Sequence, residues 1–262
     1  MKKELQYFLT AVMFYTRIPC PNWIDHSEDA LNKSTKYFTS IGWIVGGISA
    51  LMCWITVEIF PIEIAVLLSI CGSLLLTGAF HEDGFADMCD GFGGGWTKEK
   101  ILEIMKDSRM GAYGTIGLIM ILSLKWICLV KLGSNAPFGL LVAHILSRWT
   151  ATTVIFRYEY ARLDESSKSK PIAKKMPLFD YIFSTFIAFL SVLLFLPDYY
   201  IFILIIFAIE ASRIYWANYF SKFLGGYTGD CLGALQQINE IVIYLLLLSI
   251  PILYEKISIF FL

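Results

Sequence analysis

Seven apolar stretches, each near the roughly 20 residues a helix needs to cross a bilayer, decide what this chain can fold into. They run over approximately 38–60, 62–80, 111–132, 136–156, 178–196, 199–220 and 238–254. A soluble domain of 262 residues could bury a sizeable core but could not hide this many long apolar runs. The chain is 57% hydrophobic with a mean hydropathy of +0.64, outside the usual soluble range. The expected fold is therefore all-α: a polytopic membrane bundle of about seven transmembrane helices joined by polar cytoplasmic loops. Residues 1–262 read as one integral membrane domain. Within it, residues 1–37 form a cytoplasmic or interfacial N-terminal segment, with an interfacial helix over 5–18. The net charge of -1 gives no case for nucleic acid.

Basic residues set the orientation. Lys2, Lys3, Arg17, Lys33 and Lys36 precede the first stretch, and Lys98, Lys100, Lys106 and Arg109 follow the second. Arg157, Arg162, Lys168, Lys170, Lys174 and Lys175 follow the fourth, and Lys222 follows the sixth. The opposite side holds only Lys131 and Lys256. The N-terminus and every long loop are accordingly expected in the cytoplasm, and the C-terminus outside.

The chemical residues gather on that cytoplasmic side. Directly after the second apolar stretch comes His81-Glu82-Asp83-Gly84-Phe85-Ala86-Asp87-Met88-Cys89-Asp90-Gly91. On a helix, Asp83, Asp87 and Asp90 fall within about 60° of one another as one acidic stripe. Three carboxylates so placed repel unless a cation sits among them. Hard cations such as Mg²⁺ take oxygen ligands and often hold substrate phosphates as well. Gly84 and Gly91 lie beside the stripe, where missing side chains leave room for a phosphate or a close helix. The pattern points to a metal-dependent phosphoryl-group site at a membrane surface; the competing reading is a solvated acidic helix start. His81 stands about 160° from the stripe on a regular helix, so it could bind metal or accept a proton only if the helix starts later. Gly91, Gly93 and Gly94 belong to a glycine-rich loop that could wrap phosphates, a weak signal alone.

A second cluster, Lys106 to Gly114, opens the third span. Asp107, Gly111 and Gly114 repeat the four-and-seven spacing, so Asp107 either completes the metal site or caps the helix. Lys106 and Arg109 either pair with phosphate oxygens or flank the span as topogenic charge. A third cluster, Gly225 to Ala234, places Asp230 where it could face the bundle, and Gln236, Gln237, Asn239 and Glu240 follow. A substrate role for Asp230 and a plain flexible loop both fit. Inside the spans, His144 with Arg148 and Glu210 with Arg213 are expected to pair or to line a polar cavity, and Lys125 either snorkels to the interface or pairs with an acid.

Four ordered motifs resemble the cobalamin synthase family, the adenosylcobinamide-GDP ribazoletransferases. They are Phe14-Tyr15-Thr16-Arg17-Ile18-Pro19, the His-x-Asp-Gly-x-x-Asp-x-x-Asp-Gly pattern at 81–91, Glu103 to Gly111, and Gly226 to Ala234. The resemblance implies a multi-pass enzyme of a prokaryotic cytoplasmic (inner) membrane with its active site facing the cytoplasm. It implies a transferase that joins adenosylcobinamide-GDP to α-ribazole or α-ribazole 5′-phosphate. The products would be GMP and adenosylcobalamin or its 5′-phosphate, and Mg²⁺ is required. On this reading Asp83, Asp87 and Asp90 hold the metal, and Asp107 or His81 accepts the proton of the attacking hydroxyl. Lys106 and Arg109 stabilise phosphate charge. The partners expected are those two substrates and the lipid bilayer, with a homo-oligomer left open. Asp87-x-x-Asp90-Gly91 is also similar to the CDP-alcohol phosphotransferases, but Phe92-Gly93-Gly94-Gly95 stands where their Ala-Arg pair would follow. A cation-coupled transporter would need its acids near mid-membrane.

Overall fold

The structure, a computed structural model, describes residues 2–161, 175–195 and 199–260. Arg162, Lys168, Lys170 and Lys174 of the basic loop, and Pro197 and Asp198, lie outside the described residues. The chain forms α1 (Lys2–Tyr15), α2 (Glu28–Ser34), α3 (Phe38–Thr56), α4 (Ile62–Thr77), α5 (Phe80–Gly94) and α6 (Lys98–Ile104). There follow α7 (Ala112–Leu132), α8 (Ala136–Arg157), α9 (Leu178–Phe195), α10 (Tyr199–Leu224) and α11 (Gly229–Phe260). Among the described residues the β-type pairing is one isolated bridge, Tyr160 with Tyr227.

Four helical stretches are long and apolar enough to cross a membrane, five if the bent pair α4–α5 counts as one span, against the seven expected. Part of the difference lies in the stretch Ala112–Arg157, which holds both α7 and α8. A 3₁₀ turn at Gly133–Asn135 separates them, with Gly133 at φ 56. Lys125 on α7 and His144 on α8, similarly far from that turn, both meet Glu240, so the two helices fold back on each other. α9, Leu178–Phe195, is 18 residues long, at the short end of what a span needs. α1 is only 14 residues long and packs on α2 and α3, as an interfacial helix would. Lys36 ties it down, pairing with Glu4 at 2.8 Å and with Asp180 at the start of α9 at 3.4 Å.

α8 is the centre of the bundle, buried along nearly its whole length. α3 lies against it through two glycines. A Cβ on Gly42 would stand 2.6 Å from the His144 carbonyl oxygen, and one on Gly46 would stand 2.9 Å from His144 Cβ. Small residues at a crossing let helix backbones meet where no water drives association. The outer faces of α7 and α10 expose Ile116, Ile119, Met120, Ile203, Leu204 and Phe207, the composition of a surface facing hydrocarbon.

The feature that positions the site is the break between α4 and α5. Gly78 (φ 66) and Ala79 (φ 54) both adopt left-handed backbone, and the two helices meet at 88°. Left-handed conformation ends a helix and suits glycine, while Ala79 takes a conformation that L-residues seldom adopt. The acidic motif therefore does not prolong the second apolar helix. It occupies a helix of its own, wedged between the starts of α7 and α11.

Candidate active site

α5 carries a different neighbour on each face. Towards α11 its backbone is bare: a Cβ on Gly84 would lie 3.0 Å from Asp230 Cα, and one on Gly233 would lie 3.1 Å from the His81 carbonyl oxygen. Towards α6, a Cβ on Gly91 would press on Met105 and lie 3.3 Å from the Ile101 carbonyl oxygen. Towards α7, Asp90 accepts the Gly111 N–H at 2.7 Å and the Gly114 N–H at 2.8 Å, one on each oxygen. The remaining arc holds Asp83, exposed, and Asp87, half-buried. The expected stripe of three thus divides. Asp83 and Asp87 stay on the open arc, and Asp90 caps the first turn of α7, whose free N–H groups attract a carboxylate.

The glycine string is helical rather than a phosphate-wrapping loop. Gly91, Gly93 and Gly94 belong to the last turns of α5, and the chain leaves the helix only at Gly95. A Cβ on Gly93 would press on the Tyr113 ring, and one on Gly94 would lie 3.3 Å from Ile104 Cδ1. These glycines exist to admit neighbouring side chains.

Asp107 is also placed otherwise than its spacing suggests. α7 begins only at Ala112, so Asp107 shares no helical face with Gly111 and Gly114. It sits in the loop after α6 and binds Arg109 through both oxygens, at 3.0 Å to Nε and 2.6 Å to an Nη. The hydrogen bond and charge of Asp107 raise the pKa of Arg109 further above its ordinary value. Lys106 is exposed beside them.

His81 is sealed in. Its side chain stacks on Phe38 at 5.5 Å between ring centroids and meets Phe80 edge-on at 5.4 Å. Its Nε2 is buried without a hydrogen-bond partner. The helix starts at Phe80 and turns His81 towards α11, away from Asp83 and Asp87. Asp230 stands in the first turn of α11, half-buried, with its carboxylate 3.4 Å from the Thr228 hydroxyl.

Beneath α5 lies a buried polar cluster that spacing alone does not reveal. Glu240 on α11 receives Lys125 of α7 at 2.7 Å and His144 Nδ1 of α8 at 2.7 Å, and Gln236 also donates to it. Arg148 Nη1 lies 3.0 Å from His144 Nδ1 and 3.7 Å from Glu240. Gln237 accepts from Lys125 at 2.8 Å and donates to Glu82 of α5 at 2.9 Å. Four helices thereby share one network, as buried charges in hydrocarbon require. Glu210 and Arg213 form their own pair, 2.7 Å apart at the closest, as expected of charges three apart on one helix.

Whether these residues suit a divalent cation can be judged from the donors. Among the described residues, no three His, Cys, Asp or Glu side chains stand together as a metal-holding group. Mg²⁺, however, is usually bound by one or two carboxylates, with waters and substrate phosphates completing the shell. Asp83 and Asp87, one helical turn apart on the open arc, fit that requirement. Asp90, engaged at both oxygens, fits it less well.

The sequence pattern described as cobalamin-5-phosphate synthase matches residues 7–248. A protein of Shewanella frigidimarina named adenosylcobinamide-GDP ribazoletransferase is 46% identical over 252 residues, covering 95% of this chain and 96% of that protein. One of Shewanella oneidensis bearing the same name is 46% identical, covering 95% of each chain. A third, from Leptospira interrogans, is 44% identical over 253 residues, covering 94% of this chain and 96% of its own. No solved structure matches.

Proposed function

The chain belongs to the cobalamin-5-phosphate synthase family, and from that premise we propose that it joins adenosylcobinamide-GDP to α-ribazole or its 5′-phosphate. A ribazole hydroxyl attacks the phosphorus bound to cobinamide. The bond from that phosphorus to the bridging oxygen breaks, and GMP leaves with that oxygen. The observation that carries this reading is the open acidic arc of α5, bounded by the starts of α7 and α11, inside a match that spans nearly the whole chain.

Asp83 and Asp87 are the residues to hold Mg²⁺, which would supply charge neutralisation for the diphosphate. Asp90 sets the distance between the acidic arc and α7. Asp107 takes the proton of the attacking hydroxyl; His81 is walled off behind Phe38 and Phe80 and serves packing instead. Lys106, exposed beside the Asp107–Arg109 pair, offers positive charge to phosphate oxygens. Asp230 closes the arc on the α11 side. The buried cluster around Glu240 holds the four helices in the register that keeps α5 against α11. The setting is a prokaryotic cytoplasmic membrane with this face towards the cytoplasm, where the basic loops gather.

The test is direct. Purified protein in detergent or vesicles, given adenosylcobinamide-GDP, α-ribazole and Mg²⁺, should release GMP and form adenosylcobalamin in equal amounts. Without ribazole there should be no release. A transporter would release no GMP under any of these conditions.

A further inference from the structure

The segment after α1 is pinned to the α4–α5 break. Thr16 donates its hydroxyl to the Val12 carbonyl at 2.6 Å, and the Ile18 N–H returns to that hydroxyl at 3.2 Å. Phe14 and Tyr15 pack against Phe80 at 5.3 and 6.2 Å between centroids, and Tyr15 lies 4.4 Å from Phe38. The Arg17 N–H donates to the Leu76 carbonyl in the last turn of α4 at 2.7 Å. The Arg17 side chain then runs across Gly78: a Cβ there would lie 2.9 Å from an Nη and 3.0 Å from Cζ. A bare, left-handed residue is what allows a guanidinium to lie on the turn.

That guanidinium is held at its base and exposed at its head. Among the described residues it makes no ion pair or hydrogen bond, whereas Arg109 is committed to Asp107 at 2.6 Å. It stands at the N-terminal end of α5. The first turn there carries Asp83, whose N–H donates to the Ala79 carbonyl at 2.9 Å, next to Gly78. A diphosphate esterified at both ends carries two negative charges, and the leaving GMP gains a further one as its bond to the other phosphorus breaks, so a second cationic group has charge to stabilise beside one divalent cation. A guanidinium presents paired donors that match two phosphoryl oxygens. We propose that Arg17 binds phosphoryl oxygens of the diphosphate substrate at the Asp83 end of the acidic arc. This rests on the diphosphate-transfer reading above and adds a residue to it. The rival role for Arg17 is to complement the C-terminal dipole of α4, for which any cation would serve.

The experiment compares the full-length parent with Arg17→Gln and Arg17→Lys. It measures GMP release, KM for each substrate, thermal midpoint, and inorganic pyrophosphate both as competitive inhibitor and as ligand by calorimetry. In Arg17→Gln, KM for adenosylcobinamide-GDP should rise about tenfold or more, as expected for losing a charge-assisted hydrogen bond. Pyrophosphate should weaken by a similar factor, while KM for α-ribazole and the thermal midpoint stay close to the parent. Arg17→Lys should remain several-fold impaired, because it keeps the charge and loses the fork. If Arg17→Gln does not fold, the Arg17→Lys values decide. An active parent with unchanged KM and pyrophosphate binding in either folded variant removes Arg17 from the site. Full recovery in Arg17→Lys would assign it to the helix dipole. A parent that releases no GMP removes the transfer reading, and this inference with it.

Discussion

Asp90 accepts the Gly111 N–H at 2.7 Å and thereby joins the acidic helix to the first turn of α7. A Cβ at Gly111 would lie 2.8 Å from the Asp90 carboxyl carbon, and one at Gly114 would lie 3.0 Å from it, so both glycines are needed for the approach. Asp90→Asn should act chiefly on stability. An amide cannot accept at both positions, so one N–H at the start of α7 loses its partner. The expected cost is about 1–2 kcal/mol, read as a lower thermal midpoint in detergent, with the Mg²⁺ requirement unchanged. A raised Mg²⁺ requirement at unchanged midpoint would return Asp90 to the metal site.

The buried cluster makes a second prediction. Glu240→Gln leaves Lys125, His144 and Arg148 without their shared carboxylate, and stranding a buried charge costs about 3–5 kcal/mol. Folded yield and thermal midpoint should drop sharply. The double variant Lys125→Met with Glu240→Gln should recover part of the loss, because one stranded cation is gone. Equal midpoints for the parent and Glu240→Gln would show that the cluster does not bind the four helices together.

Asp107 separates proton transfer from cation binding. Asp107→Asn should lower turnover by about 10²-fold or more and leave the Mg²⁺ dependence where it was. Recovery of the rate by excess Mg²⁺ would make Asp107 a ligand instead. Turnover within error of the parent would leave it as no more than the partner of Arg109.

Sidedness is tested by labelling. Lys98 approaches the loop before α11, with its Nζ 3.6 Å from where a Gly225 Cβ would stand, so those two loops share an end of the bundle. In a cysteine-free background, Lys98→Cys and Lys222→Cys should react only from the cytoplasm, and Ser134→Cys only from outside. Labelling of position 98 from outside would reverse the orientation.

Much of the membrane architecture was legible because long apolar runs and buried charges leave few alternatives. Lys125, His144 and Arg148 could be read as needing partners, since an unpaired charge in hydrocarbon is costly. Their common partner, Glu240, could not, because it lies in another helix far along the chain. Glu82 was hidden among neighbouring acids, and only the turn of α5 towards α11 separates it from Asp83. The glycines of 91–95 read as a loop because composition cannot tell a flexible backbone from one that admits Met105 or Tyr113. The spacing of Asp107, Gly111 and Gly114 misled for a related reason. It assumes a continuous helix, whereas α7 starts where Asp90 caps it, after Asp107 has gone by.

The central claim is that the open arc of α5, through Asp83 and Asp87, carries a metal-assisted diphosphate transfer. The measurement that bears on it most directly is ribazole-dependent GMP release from adenosylcobinamide-GDP, titrated with Mg²⁺, for the parent, Asp83→Asn and Asp87→Asn. The parent should require Mg²⁺. Each variant should lose about 10²-fold or more in rate at saturating substrate, with the thermal midpoint preserved. Metal-independent release by the parent, or near-parental rates in both variants at equal folded yield, would contradict the account.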